Sequence, residues 1–176
     1  GGWREMWLRR PRVRTNGFYC MANEWVKPAT HDLWGGVTSG VKILKVQTFR
    51  YFRFLPNGTV LYSLTHQPPE HMTRVLARYS ASNPIRSRDL QSQAADVIKG
   101  TYSLKRNTVF VKIRSHYNTV HFQLELAHGH RGHFSRLEVL HHFSRGLRAT
   151  PESRATHHYE SQGYSFRFLR VYPNLS

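Results

Sequence analysis

Residues 42–65 constrain the fold more than any other stretch. KILKVQTFRYFRFL (42–55) is a long run of β-formers, Pro56-Asn57-Gly58 interrupts it, and TVLYSLT (59–65) returns. Asn-Gly supplies the positive-φ positions a tight hairpin needs, and strong strand formers flank it on both sides. Side chains alternate across a strand, so Phe49, Tyr51 and Leu55 lie opposite Phe52 and Phe54. Both faces are therefore apolar. A strand buried on both sides fits a barrel whose interior is packed and whose exterior is partly covered.

Further strand signals follow the same rule. Phe18 to Val26 is aromatic and follows the turn pair Asn16-Gly17. Thr101–Leu104 and Thr108–Ile113 form a second hairpin around Lys105-Arg106-Asn107. VHFQLEL (120–126) alternates most cleanly, with Val120, Phe122, Leu124 and Leu126 on one face. RLEVLHHF (136–143) and YSFRFLRVY (164–172) complete the set, the last placing Tyr164, Phe166 and Phe168 together. One helix is expected after Pro68-Pro69, where Met72, Val75, Leu76 and Tyr79 fall at helical spacing. Residues 27–40, 80–96 and 146–162 read as loops. The expectation is a single all-β domain over residues 1–176, a mostly antiparallel barrel-like sheet of about eight strands with one short helix to plug or cover it.

A chain of 176 residues can bury a real core, and its 13% aromatic content favours a folded strand-rich domain. Twenty-six Lys and Arg against ten Asp and Glu give a net charge of +16. That balance fits an anionic partner, although no dense basic tract appears. No apolar run spans a bilayer and the first ten residues carry no secretory signal pattern, so no membrane role is expected. The chain opens on Gly1 rather than Met, which reads as a fragment. Cys20 is the only cysteine and sits in an aromatic stretch, as a small core residue would. A lone cysteine and no leader fit an intracellular site, cytoplasmic or nuclear.

Little in the sequence points to catalysis. No nucleophile elbow, phosphate loop, dinucleotide fingerprint or zinc-protease motif occurs. The ten carboxylates are scattered. His128, His130 and His133 share a turn, but Arg131 stands among them and no Cys or acid joins them, so a solvated loop is the expectation and no metal is assigned. His141-His142 and His157-His158 are adjacent pairs that strands would send to opposite faces. No catalytic residue and no cofactor are expected, and the chain is read as a non-enzyme. Arg50 is the one binding candidate. It shares a face with Phe52 and Phe54, so it would enter a barrel and require an anionic or carbonyl partner. It would either recognise a carboxylate or phosphate on a partner, or pair internally with Glu125 or Glu138 or stack on a ring.

Several of these blocks, in this order, resemble one family. Arg10-Pro11-Arg12-Val13 leads to Gly17 and Tyr19. Arg50, Tyr51, Arg53, Phe54, Leu55, Pro56, Asn57 and Gly58 form a Tyr/Phe-rich strand and turn. Pro68-Pro69 with its helix, GTYSL (100–104), FQLEL, RLEVLHH and FRFLRVY follow. Together they resemble the C-terminal domain of F-box only protein 9-like F-box proteins. The segments 27–40 and 80–96 and the strong positive charge depart from that pattern. The resemblance implies a domain that presents a protein target to an SCF-type (Skp1–cullin–F-box) ubiquitin ligase. The Skp1–cullin core would be reached through an F-box that this chain does not contain. It implies no set of target-contacting residues.

Three functions are therefore open. The first is a substrate-recognition adaptor that binds a protein target for ubiquitin-dependent degradation. The second is a basic β-barrel that binds nucleic acid, which clustering of Arg and Tyr on one sheet face would support. The third is a small-ligand carrier or enzyme built on the barrel, which an apolar cavity with convergent polar groups would support.

Overall fold

The computed structural model describes residues 2, 3, 5, 6, 10–28, 43–78, 97–130, 132–147, 156–161 and 163–170. Among them are nine strands: β1 (Gly17–Pro28), β2 (Ile43–Phe54), β3 (Thr59–Thr65), β4 (Val97–Lys105), β5 (Thr108–Arg114), β6 (Asn118–Gly129), β7 (Gly132–Gly146), β8 (Thr156–His158) and β9 (Ser165–Arg170). One helix, α1 (Pro69–Arg78), follows β3. Strands β1 to β7 each pair antiparallel with the next. β9 then lies between β7 and β1 and closes the circle. The result is a closed eight-stranded antiparallel barrel with β8 added on β7.

β7 serves two partners because it is bent. Its first half pairs with β9 at Arg136–Glu138, and its second half pairs with β8 at Phe143–Arg145. Between them the register against β6 jumps from Leu124↔Val139 to Gln123↔His141. Leu140 is left over, and such an extra residue bends and twists a strand. β9 meets β1 only at Gly17–Cys20. The later half of β1 and the short β8 thus flank the place where the wall parts, at one end of the barrel.

Two apolar clusters hold the fold. Inside are Tyr19, Phe52, Phe54, Val60, Val111, Ile113, Phe122, Leu124, Leu137, Phe166 and Phe168, all at most 2% exposed. Phe52 is the hub, with Phe122 at 5.0 Å, Tyr62 at 5.3 Å and Phe166 at 4.7 Å between ring centroids. Outside, Phe18, Phe49, Tyr51 and Leu61 pack against Met72, Val75 and Leu76 of α1. The helix covers the wall and does not plug the barrel. Met72, Val75 and Leu76 are each buried, which contributes about 1.5–3 kcal/mol apiece. Pro68 and Pro69 open the helix where free N–H groups would be orphaned, and Glu70 faces the positive end of its dipole. Tyr79 lies outside the described residues.

Three details differ from the sequence reading. At the first hairpin only Gly58 has positive φ (+82°) and Asn57 does not. Pro56 and Asn57 occupy a turn closed by Gly58 N–H to the Leu55 carbonyl, and Asn57 Oδ1 accepts from Thr59 N–H at 3.1 Å. Proline at the first central position sets that geometry. The region 146–162 is not all loop, since Thr156–His158 forms β8. Tyr164 precedes β9 and is 40% exposed, while Phe166 and Phe168 enter the core. The regions 29–42 and 79–96 lie outside the described residues. No helix is long and apolar enough to cross a membrane among those described.

Candidate functional site: the barrel mouth around Arg50

Alternation along β2 sends Arg50 into the barrel, two residues from Phe52. It is level with Met21 of β1 and Leu64 of β3. Met21 is buried in the interior cluster and Leu64 is 47% exposed, so Arg50 stands where the core gives way to solvent. Its guanidinium hydrogen-bonds the Tyr62 hydroxyl and its charge acts on Tyr62 and on His142, while its Nε is buried without a hydrogen-bond partner. Neither internal acid meets it. Glu125 alternates with the buried Leu124 and Leu126 and so faces outward. Glu138, opposite Glu125, is paired with Arg136.

A column of rings lines the wall across from Arg50. Phe122 stacks on His142 at 4.1 Å, and His142 stacks on Tyr159 at 4.2 Å. The Tyr159 hydroxyl meets Ser144 Oγ at 3.1 Å, and Tyr159 N–H donates to the His142 carbonyl at 2.9 Å. β8 places His157 opposite Ser144, so it shares the inner face with His142. Burial, then the charge on Arg50, then His157 push the His142 imidazole down to about 3. It is therefore neutral near pH 7. Tyr62 is held protonated: burial raises its phenol, against the pull of Arg50. Asn23, two residues beyond Met21 on the same face of β1, has a buried Oδ1 with no partner. Among the described residues, the mouth thus gathers the Arg50 guanidinium, hydroxyl and amide groups, the neutral His142 imidazole, His157, and two buried polar atoms without a partner.

The remaining candidates fall elsewhere. His141 points outward beside the buried His142, and His158 lies on Phe143 at 5.6 Å. Adjacent histidines do part to opposite faces, but His142 and His157 meet across β7 and β8, which spacing along the chain did not reveal. His128 and His133 contact edge to face at 4.9 Å in the β6–β7 hairpin. No group of three metal-ligating side chains occurs among the described residues. Cys20 is half-buried on the outer face toward α1. Burial lifts its thiol to about 11 despite the hydrogen bond with Tyr51, so it stays protonated.

A second surface lies on the outside of β5 to β8. Lys112, His121, Phe143 and His158 form one cross-strand row. His121 and Phe143 stack at 4.8 Å, and the Arg145 guanidinium sits 5.4 Å from the Phe143 ring centre. Arg114 continues the basic character one step along β5. The face is cationic and aromatic, with Phe and His rather than Tyr as its rings.

The sequence that forms this barrel has a counterpart among known families. The model for the F-box only protein C-terminal region matches residues 1–173. No solved structure matches the chain. Spanning nearly every residue from the RPRV segment to β9, that match shows that this chain belongs to the F-box only protein C-terminal region family.

Proposed function

We propose that this chain is the target-recognising domain of an F-box protein acting within an SCF-type ubiquitin ligase. The observation that carries this reading is the family match over residues 1–173. The domain supplies affinity and orientation for a protein target, and other subunits carry out ubiquitin transfer. The reading gives the chain no covalent chemistry of its own. A protonated Cys20 and a neutral, ring-stacked His142 agree with that. The Skp1–cullin core is reached through an F-box outside this chain, and the workplace is the cytoplasm or nucleus.

The test is to isolate the native protein from its own cells through an antibody to this domain. Skp1 and a cullin in the isolate, and a target that accumulates when the domain is deleted, are the expected results. A native protein free of Skp1 would sink the reading. The outer row of Lys112, His121, Phe143 and His158 favours one alternative, a nucleic-acid-binding barrel. Binding of single-stranded oligonucleotide that weakens steeply with salt, and that is weaker with a shallower salt dependence in Lys112→Ala/Arg145→Ala, would support it.

A further inference from the structure

Arg50 poses a problem that the fold solves only in part: its guanidinium donates to the Tyr62 hydroxyl, and no acid among the described residues reaches it. A guanidinium carries five N–H donors and a permanent charge. Here its Nε is buried without a partner, and the two acids that sequence alone offered it face the other side of the wall. Replacing a buried charge by an apolar residue of similar size is commonly neutral or stabilising. Stability alone gives no reason to place arginine at this position.

The surroundings restrict what would satisfy it. The Tyr62 hydroxyl accepts from the guanidinium and keeps its own proton to donate, and the Ser144–Tyr159 hydroxyl pair lies on the facing wall. The Asn23 amide has an unpartnered oxygen, so turning it over would bring its NH2 inward at no cost in hydrogen bonds. These are donors. The opening is at the surface, since Leu64 and Tyr159 on its rim are 47% and 36% exposed. The floor is closed by Phe52, Tyr62 and Phe122, whose rings touch one another.

We propose that the mouth of the barrel is a carboxylate-binding site, with Arg50 as its anchoring cation and Asn23, Tyr62, Ser144 and Tyr159 as neutral donors. A carboxylate is planar, carries a single negative charge and matches the fork of a guanidinium. A phosphate carries close to two charges near neutral pH and asks for more than one cation. Two imidazoles also face the mouth: His142, neutral and stacked between Phe122 and Tyr159, and His157, at the exposed rim opposite Ser144. Neither is a permanent cation. The site is a property of the barrel itself, and it stands or falls apart from the ligase reading. The carboxylate comes either from a small free acid or from the end of a peptide chain, and the two are separable.

The test uses the full chain labelled with 15N, with the Arg50 Nε–Hε resonance identified by its loss in Arg50→Lys. The probes are sodium acetate, a glycine-rich peptide with a free C-terminal carboxylate, the same peptide amidated, and inorganic phosphate, all at constant ionic strength. The expected result is a saturable shift of that resonance with acetate or the free-acid peptide, and none with the amide. Affinity should fall by about tenfold or more in Arg50→Met, the loss of one charge-assisted bidentate contact. Similar affinity for acetate and peptide identifies a small acid as the natural occupant. Much tighter binding of the peptide identifies a chain end. No saturable shift with either, undiminished binding by Arg50→Met, or phosphate binding as tightly as carboxylate overturns the proposal. Should Arg50→Met fail to fold, the titration of the native chain against acetate, amide and phosphate decides alone.

Discussion

The Tyr19 hydroxyl donates a 2.8 Å hydrogen bond to the carbonyl of Phe134, a residue 115 positions away on β7. It also accepts from the Arg14 N–H at 3.1 Å. β1 and β7 do not pair with each other, because β9 lies between them. The bond therefore crosses the barrel end and fastens two strands that the ladder leaves apart. Phe134 has positive φ (+54°), which costs a non-glycine residue about 1–2 kcal/mol, so the carbonyl is aimed by a conformation that something else must hold. Burial lifts the Tyr19 phenol to about 12, so it remains a donor throughout the physiological range. Tyr19→Phe keeps the ring contacts with Phe54 and Phe168 and removes only the oxygen. We expect a loss of about 1–3 kcal/mol, from a carbonyl and an N–H left without their partner. Urea denaturation reads it, and an unchanged midpoint would show the bond to be incidental.

His142 makes stability depend on pH. Its imidazole is driven down to about 3 by burial, by Arg50 and by His157; the Tyr62 phenol, raised by burial, and the Tyr159 ring also face it. In the unfolded chain the same ring titrates near about 6.5. Between these values the unfolded state holds the extra proton, so acid favours unfolding. The contribution is fully present above about 6.5 and is lost as pH falls toward 3, at up to about 1.4 kcal/mol per pH unit. His121 is also lowered, by burial and by Lys112 and Arg145, and acts in the same direction. His142→Phe retains a ring against Phe122 and Tyr159 but cannot titrate. Its stability between pH 4 and 6.5 should fall less steeply than that of the native chain. Parallel slopes would remove His142 as the cause.

Gly17 is a glycine for reasons of space. A Cβ there would lie 2.2 Å from the Leu169 carbonyl oxygen and 2.6 Å from the Phe168 ring. Gly17 is also the first residue of the β1–β9 seam that closes the barrel. The backbone oxygen cannot step aside without breaking that ladder. Gly17→Ala should destabilise by about 1–3 kcal/mol, the usual cost of overpacking. Gly146→Ala, where nothing lies within 4 Å, is the control and should change the melting temperature little. Equal effects of the two would mean that β9 is not held against β1 in this register.

How much of this was legible in the chain follows from what is local. The 42–65 hairpin could be read because its turn and both its flanks are contiguous, and the inward direction of Arg50 followed from alternation within β2. Whether α1 plugs or covers the barrel was left open by the sequence, and its packing on Phe18, Phe49, Tyr51 and Leu61 decides for the cover. Closure was not legible. It depends on β9 inserting between β7 and β1, a pairing of distant segments with no local signal. The company of Arg50 was hidden for the same reason. His142 and His157 share a face only because β8 pairs with β7, and the bulge at Leu140 decides which residues of β7 turn inward there. A strict count of two from Leu137 would have sent Phe143 into the barrel and His142 out. Internal pairing of Arg50 with Glu125 or Glu138 was a reasonable expectation, but both acids alternate to the outside.

The turn between β4 and β5 offers a gain in stability. Lys105 pairs with Thr108, so Arg106 and Asn107 make the whole connection. Arg106 adopts φ of +53°, a left-handed conformation that costs a residue with a Cβ about 1–2 kcal/mol. Asn107 is tied to β6 by two bonds. Its side-chain amide donates to the Leu126 carbonyl at 2.7 Å, and its backbone carbonyl accepts from Leu126 N–H at 2.8 Å. Arg106 is exposed and its side chain is free to change. Arg106→Gly removes the strain and in return gives the unfolded chain more freedom, at about 0.5–1 kcal/mol. The balance is expected to be a stabilisation of up to about 1 kcal/mol, seen as a higher melting temperature with unchanged denaturant slope. Arg106→Val should move the other way, because a β-branched side chain tolerates positive φ least. If glycine lowers the melting temperature and valine does not, the turn is held by contacts of the Arg106 side chain and not by its backbone geometry.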